Sequence, residues 1–176
     1  MTNQKNNPRA IVQTAWVVPD LDAAIQHWLN LGYGPFLRID NVNVPDANYR
    51  GRIAPLNLSL SLVQAGDVCV ELIQQHSVGP SAYRDVYGPT EGGFHHLCWF
   101  SDDYEAEKAA MQQKGYVVAT EGLFCGVQFC YVDTRAAFGC MIELVPDGPP
   151  IRNMYKAVKE ASIGWDGSNP IRSFSL

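Results

Sequence analysis

One strand-and-helix unit is written twice in this chain, at a spacing of 83 residues. The first copy reads AIVQTAWVVPDLDAAIQHWLNLGY, from Ala10 to Tyr33. Its β-branched opening, IVQTAWVV, predicts a strand. Pro19 then breaks the ladder, and Asp20 is placed to cap a helix through its carboxylate. In that helix Leu21, Ala24, Ile25 and Trp28 fall at i, i+3, i+4 and i+7, a single apolar stripe. Gly32 ends it. The second copy, FHHLCWFSDDYEAEKAAMQQKGY, puts Trp99 on Trp16, Asp103 on Asp20, Ala106 on Ala23, Gly115 on Gly32 and Tyr116 on Tyr33. Its helical stripe is weaker, but these residue types serve different purposes, and their joint recurrence is a duplication.

The later parts of the halves agree at a different offset. LNLSLSLVQAGDVCVELIQQ alternates apolar and polar residues and turns at Ala65-Gly66-Asp67 into VCVELI. GVQFCYVDT turns through Arg135 to Gly139 into CMIELV. Both closing strands carry one acid before leucine, Glu71 and Glu143. This divides the chain into a disordered terminus (1–9), a first unit (10–80), a linker (81–93), a second unit (94–146) and a C-terminal helix with a docking tail (147–176). In the last segment, residues 152–162 predict the helix, and Trp165 and Ile171 are expected to dock on the body or on a second subunit.

A formal charge of -5 argues against a nucleic-acid partner, which needs a basic patch. No apolar run is long enough to span a bilayer, and the polar start, MTNQKNNPRA, lacks a signal peptide's apolar stretch. The expectation is a cytoplasmic protein without membrane or nucleic-acid partners. Five cysteines with no CxxC pair suit buried reduced thiols better than a disulfide framework or a thiolate zinc site. Cys125, in GLFCG, reads as exposed on a turn.

His95 and His96 are neighbours in GGFHHLCWF. Side chains alternate faces along a strand, so one histidine at most is expected to reach a given face. The repeat aligns His96 with Gln13 and His95 with Val12. Trp16 and Trp99 suggest the helix-bearing face for His95, leaving Gln13 and His96 on the other. Gln13, Glu71, His96 and Glu143 thus occupy matching places in two copies of one unit. All four side chains are competent metal ligands, and an acid within an apolar strand is costly to bury without a partner.

The paired units, PDLDAA, GFHHL and the IEL strand resemble the vicinal oxygen chelate superfamily, over about residues 10–146. That family includes glyoxalase I, methylmalonyl-CoA epimerase, extradiol dioxygenases and drug-resistance proteins. GPF after the first helix, ELIQQHSVGPSAYRD and WDGSNPIR look more like a bacterial glyoxalase-like subgroup. The resemblance implies an α+β fold: two tandem βαβββ modules forming a cupped, mostly antiparallel sheet with helices on the outer face. It further implies a homodimer and one divalent metal ion (Zn, Ni, Co, Mn or Fe) held by Gln13, Glu71, His96 and Glu143.

Such a metal polarises a substrate carbonyl, and Glu143, with Glu71 as its partner, is the candidate catalytic base. The expected activity is a metal-dependent, glyoxalase I-like isomerase, epimerase or lyase acting on a small oxygenated substrate. The alternative is a metal-free sequestering protein of the same fold. An extradiol-type dioxygenase is disfavoured, because Gln13 stands where a second histidine would be wanted. Phe36, Arg38, Tyr83, Arg84 and Phe129 are the substrate-binding candidates. For the arginines surface ion pairs compete with that role, and for the phenylalanines the core does.

Overall fold

The computed structural model describes residues 9–174. The disorder expected over residues 1–9 therefore falls, apart from Arg9, outside the described residues. The first unit contains β1 (Gln13–Val17), α1 (Leu21–Asn30), β2 (Phe36–Val44), β3 (Asn48–Tyr49), β4 (Arg52–Ile53), β5 (Leu56–Ala65) and β6 (Val68–Gln75). The second contains β7 (Gly93–Ser101), α2 (Tyr104–Gln113), β8 (Val117–Phe124), β9 (Val127–Asp133), α3 (Arg135–Phe138) and β10 (Met141–Pro146). Helix α4 (Pro149–Ser162) and β11 (Ile171–Ser173) follow. α4 starts earlier than its apolar stripe suggests because Pro149 and Pro150 occupy its first turn, where no backbone N–H is needed.

The strands form one sheet in the order β11-β2-β5-β6-β1-β7-β10-β9-β8-β3-β4. β1 lies parallel to β6 and β7 parallel to β10, while β1 and β7 run antiparallel at the centre. The two copies are therefore joined through their first strands. Local chemistry repeats with the topology. The Asp20 carboxylate accepts from the Ala23 N–H at 2.9 Å, and Asp103 accepts from Ala106 at 3.2 Å. Gly32 and Gly115, at the helix ends, both take φ +88, a left-handed conformation that glycine adopts without steric cost.

Packing divides into three clusters. Leu21, Ile25, Val63 and Leu72 fill the space beneath α1, and Tyr104, Cys130, Ile142 and Leu144 that beneath α2. The third cluster covers the opposite face and draws on both units, with Ala15, Leu60, Cys98, Phe129 and Tyr131 among its members. α1 and α2 lie on the outer face, as expected. α4 does not: Ile151, Met154 and Val158 pack into the inner cluster, so this helix lies across the cup. The tail pairs through β11 with the edge strand β2. Among the described residues no helix is long and apolar enough to cross a membrane.

Candidate active site

The register of the central strands assembles two polar rows on the concave face. One row runs Glu71, Ala15, His96, Met141, and the next Cys69, Gln13, Cys98, Glu143. Ala15 and Cys98 are fully buried, and their small side chains form a low floor over which the longer ones meet. His96 Nε2 stands 3.3 Å from Glu143 Oε2 and 3.7 Å from Glu71 Oε2. The Gln13 amide N–H donates to Glu71 Oε2 at 2.5 Å, and the Gln13 carbonyl accepts from the Tyr155 hydroxyl on α4. The four residues that the repeat groups together thus lie in one buried cluster, with none more than 8% exposed.

His95 overturns the parity expectation. Ala15 pairs with His96 but Trp16 with Phe94, so His95 is the extra residue of a β-bulge. A bulge re-aims side chains that strict alternation would separate. Both imidazoles consequently turn to the concave side, with their Nδ1 atoms 2.9 Å apart. His95 is 1% exposed and packs against Tyr83 and Tyr131 rather than under a helix.

Protonation follows from the hydrogen bonds. The Ala82 carbonyl lies 3.0 Å from His95 Nε2 and can only accept, so that nitrogen carries a hydrogen. Burial, with His96 beside it, pushes the His95 pKa down to about 3, which leaves its Nδ1 as a bare acceptor. His96 Nδ1 must then donate. Its Nε2 is buried between two carboxylates and without a hydrogen-bond partner. An orphaned buried nitrogen calls for an explanation, and a neutral imidazole there would offer its lone pair, between two carboxylates, to a cation.

The surrounding electrostatics point the same way. Burial first, then the Glu143 charge, raises the Glu71 pKa well above the ordinary carboxylate range, with the Gln13 amide opposing. Burial likewise holds the hydroxyls of Tyr83 and Tyr131 in their neutral form, and the two lie 2.8 Å apart. Among the described residues no three His, Cys, Asp or Glu side chains already converge on one point. Gln13 points its amide nitrogen, not its oxygen, at Glu71, so it joins such a donor set only with the amide turned.

The substrate-side candidates divide. Tyr83 and Phe129 line a cavity of ≈ 50 Å³ beside the polar cluster. Phe36 is fully buried under α1, because the alternation of β2 turns it to the helix side. Arg38 pairs with Asp22 and Asp40, and Arg84 donates to the carbonyls of Gln75 and Gly88. Neither guanidinium reaches the cavity. Sequence reasoning missed Tyr155, which lies outside the repeat, although Ile151, Met154, Tyr155 and Val158 follow the i, i+3, i+4, i+7 spacing of a packed face.

A family model described as the Glyoxalase/Bleomycin resistance protein/Dioxygenase superfamily matches residues 12–132. No curated protein sequence matches the chain. Among solved structures, the fold is similar to that of methylmalonyl-CoA epimerase from Mycobacterium tuberculosis, with TM-score 0.51 and 18% identity over 81% of this chain and 90% of that one. A methylmalonyl-CoA epimerase variant of Streptomyces coelicolor, in complex with 2-nitronate-propionyl-CoA, gives 0.52 and 18% over 80% and 94%. A mutant 4-hydroxymandelate synthase from Streptomyces coelicolor gives 0.52 and 18% over 79% of this chain and 38% of that one.

Proposed function

The chain belongs to the glyoxalase/bleomycin resistance protein/dioxygenase superfamily, and from that premise we propose that it is a metal-dependent proton-transfer enzyme, an isomerase, epimerase or lyase acting on a small oxygenated compound. One observation carries this reading: the Nε2 of His96, buried without a hydrogen-bond partner between Glu71 and Glu143. His96, Glu71, Glu143 and a turned Gln13 would hold a divalent cation, which when bound supplies Lewis-acid polarisation of a substrate carbonyl. The chain's own groups do the rest.

Glu143 is the base for the acidified C–H, and Glu71 is its partner. They approach His96 Nε2 from opposite modules, and a substrate carbon held between them would lose its proton to one and regain one from the other on the opposite face. That outcome is epimerisation. Return to the adjacent carbon is isomerisation, and loss of a β leaving group is elimination. The buried hydroxyls of Tyr83 and Tyr131 stay protonated and exclude bulk water from the inner wall.

A second reading, metal-free ligand sequestration, draws on the hydrogen bonds that already tie Gln13 to both Glu71 and Tyr155. Elemental analysis separates the two. The wild-type protein, incubated with nickel, cobalt, zinc, manganese or iron(II), is expected to retain about one divalent ion per chain. His96→Ala should lose it, while Glu143→Gln should keep much of it but fail to exchange substrate C–H protons with solvent. Absence of metal from the wild type would leave sequestration as the better account.

A further inference from the structure

Resting on the proposed reading of the polar cluster, we infer that the substrate's far end is uncharged: a carbonyl compound whose oxygens face the cluster and whose hydrocarbon body extends into an apolar vestibule at the start of α4. The inner cavity lies against Glu71 and Glu143. A second space of ≈ 300 Å³ opens beyond it, bounded by the β8–β9 turn and the start of α4. The two share Phe124, Val127, Ile151 and Met154, so they adjoin across an apolar wall of four side chains. The outer space has roughly twice the ~150 Å³ that accepts a benzene ring.

Charge decides the substrate class. Among the described residues, neither space is lined by a lysine or an arginine, and both ionisable carboxyl groups that border the inner one are acids. A phosphate or carboxylate at the substrate's far end would enter the vestibule with no cationic partner there, a costly transfer. The nearby guanidiniums are committed elsewhere: Arg135 to Asp133, Arg84 to backbone carbonyls and Arg152 to Asp147. A neutral ring or branched alkyl chain loses nothing there and gains the burial of its apolar surface, on the order of 25 cal/mol per Å².

The test compares two ligands that differ only at the far end, α-hydroxyacetophenone and its para-carboxylate, by calorimetry on metal-loaded and metal-free protein. The neutral compound is expected to bind at least ten-fold more tightly. Asn153→Lys, an exposed substitution at the vestibule, should narrow that ratio several-fold by supplying the missing cation. Equal or tighter binding of the carboxylate to wild type would overturn the inference. So would failure of the neutral compound to bind at millimolar concentration, or an unchanged ratio in Asn153→Lys. The underlying reading fails separately: discrimination with no metal uptake sinks proton-transfer catalysis and leaves the ligand class standing, and metal uptake without discrimination does the reverse.

Discussion

At the scale of single residues, His95 holds the site's chemistry in place without reaching into it. By donating to Ala82 and accepting from His96, it keeps a hydrogen on His96 Nδ1 and leaves Nε2 facing the carboxylates. Outer partners of ligating histidines commonly matter 10–100-fold in metal affinity. His95→Ala should therefore weaken metal binding by about that factor in chelator competition, because His96 is then free to present either tautomer. His95→Gln keeps one donor and one acceptor and should recover part of the loss. Equal metal affinity in wild type and His95→Ala would remove this role. Gln13, Glu71, His96 and Glu143 could be grouped from the duplication alone, since equivalent places in two copies meet at the pseudo-symmetric centre. His95 could not be read in the same way. Alternation along a strand assumes an unbroken ladder, and the bulge at His95 breaks it locally.

Among the elements, the two helices answer the same structural need by different means. α1 buries Leu21 and Ile25 beneath an apolar stripe, with Trp16 edge-on to Trp28 at 5.6 Å. α2 has a weaker stripe, and Glu107 compensates. It accepts from Trp99 Nε1 and from Ser101 Oγ, both at 2.7 Å, and pairs with Arg9. The duplicated cap makes the comparison quantitative. Asp20→Ala and Asp103→Ala should each cost about 1 kcal/mol in urea unfolding, with similar midpoint shifts. Glu107→Ala should cost more, about 2–3 kcal/mol, because it strands two donors in a part-buried setting. A Glu107→Ala loss no greater than that of a cap variant would mean that packing alone holds α2. The second helix was legible from its capping Asp103 and terminal Gly115. Its attachment was not, because a charged residue on a helix ordinarily faces water. The same limit hid α4: its stripe announces a buried face but not which face of the sheet receives it.

At the scale of the whole molecule, one sheet must keep two modules in register for the four site residues to meet. The central β1–β7 pairing does this at the floor, and an ion cluster does it at the rim. Arg50, beyond β3 of the first module, pairs with Asp85 of the linker and Asp133 of the second module at 2.6 and 2.7 Å. Tyr49 donates to Asp85, and Arg135 reaches both Asp133 and the Asp85 carbonyl. Hydrogen bonds from Arg135 and then Arg50 hold the Asp133 pKa far below its ordinary value of 3.8, against the opposing effect of burial. The sign of the linkage follows. Unfolded Asp133 gains its proton as pH falls through the ordinary carboxylate range, while the folded residue stays ionised, so the unfolded state binds more protons. The cluster's contribution is complete above about pH 5 and fades as the solution is acidified toward the depressed native value. Asp133→Asn should lower stability near neutral pH by about 1–2 kcal/mol, a modest figure because the pairs are partly solvated. It should also flatten the dependence of the urea midpoint on pH below 5. An acid limb as steep as the wild type's would place the titrating group elsewhere. Metal affinity at neutral pH should then fall only slightly, since β1 and β7 still carry the site.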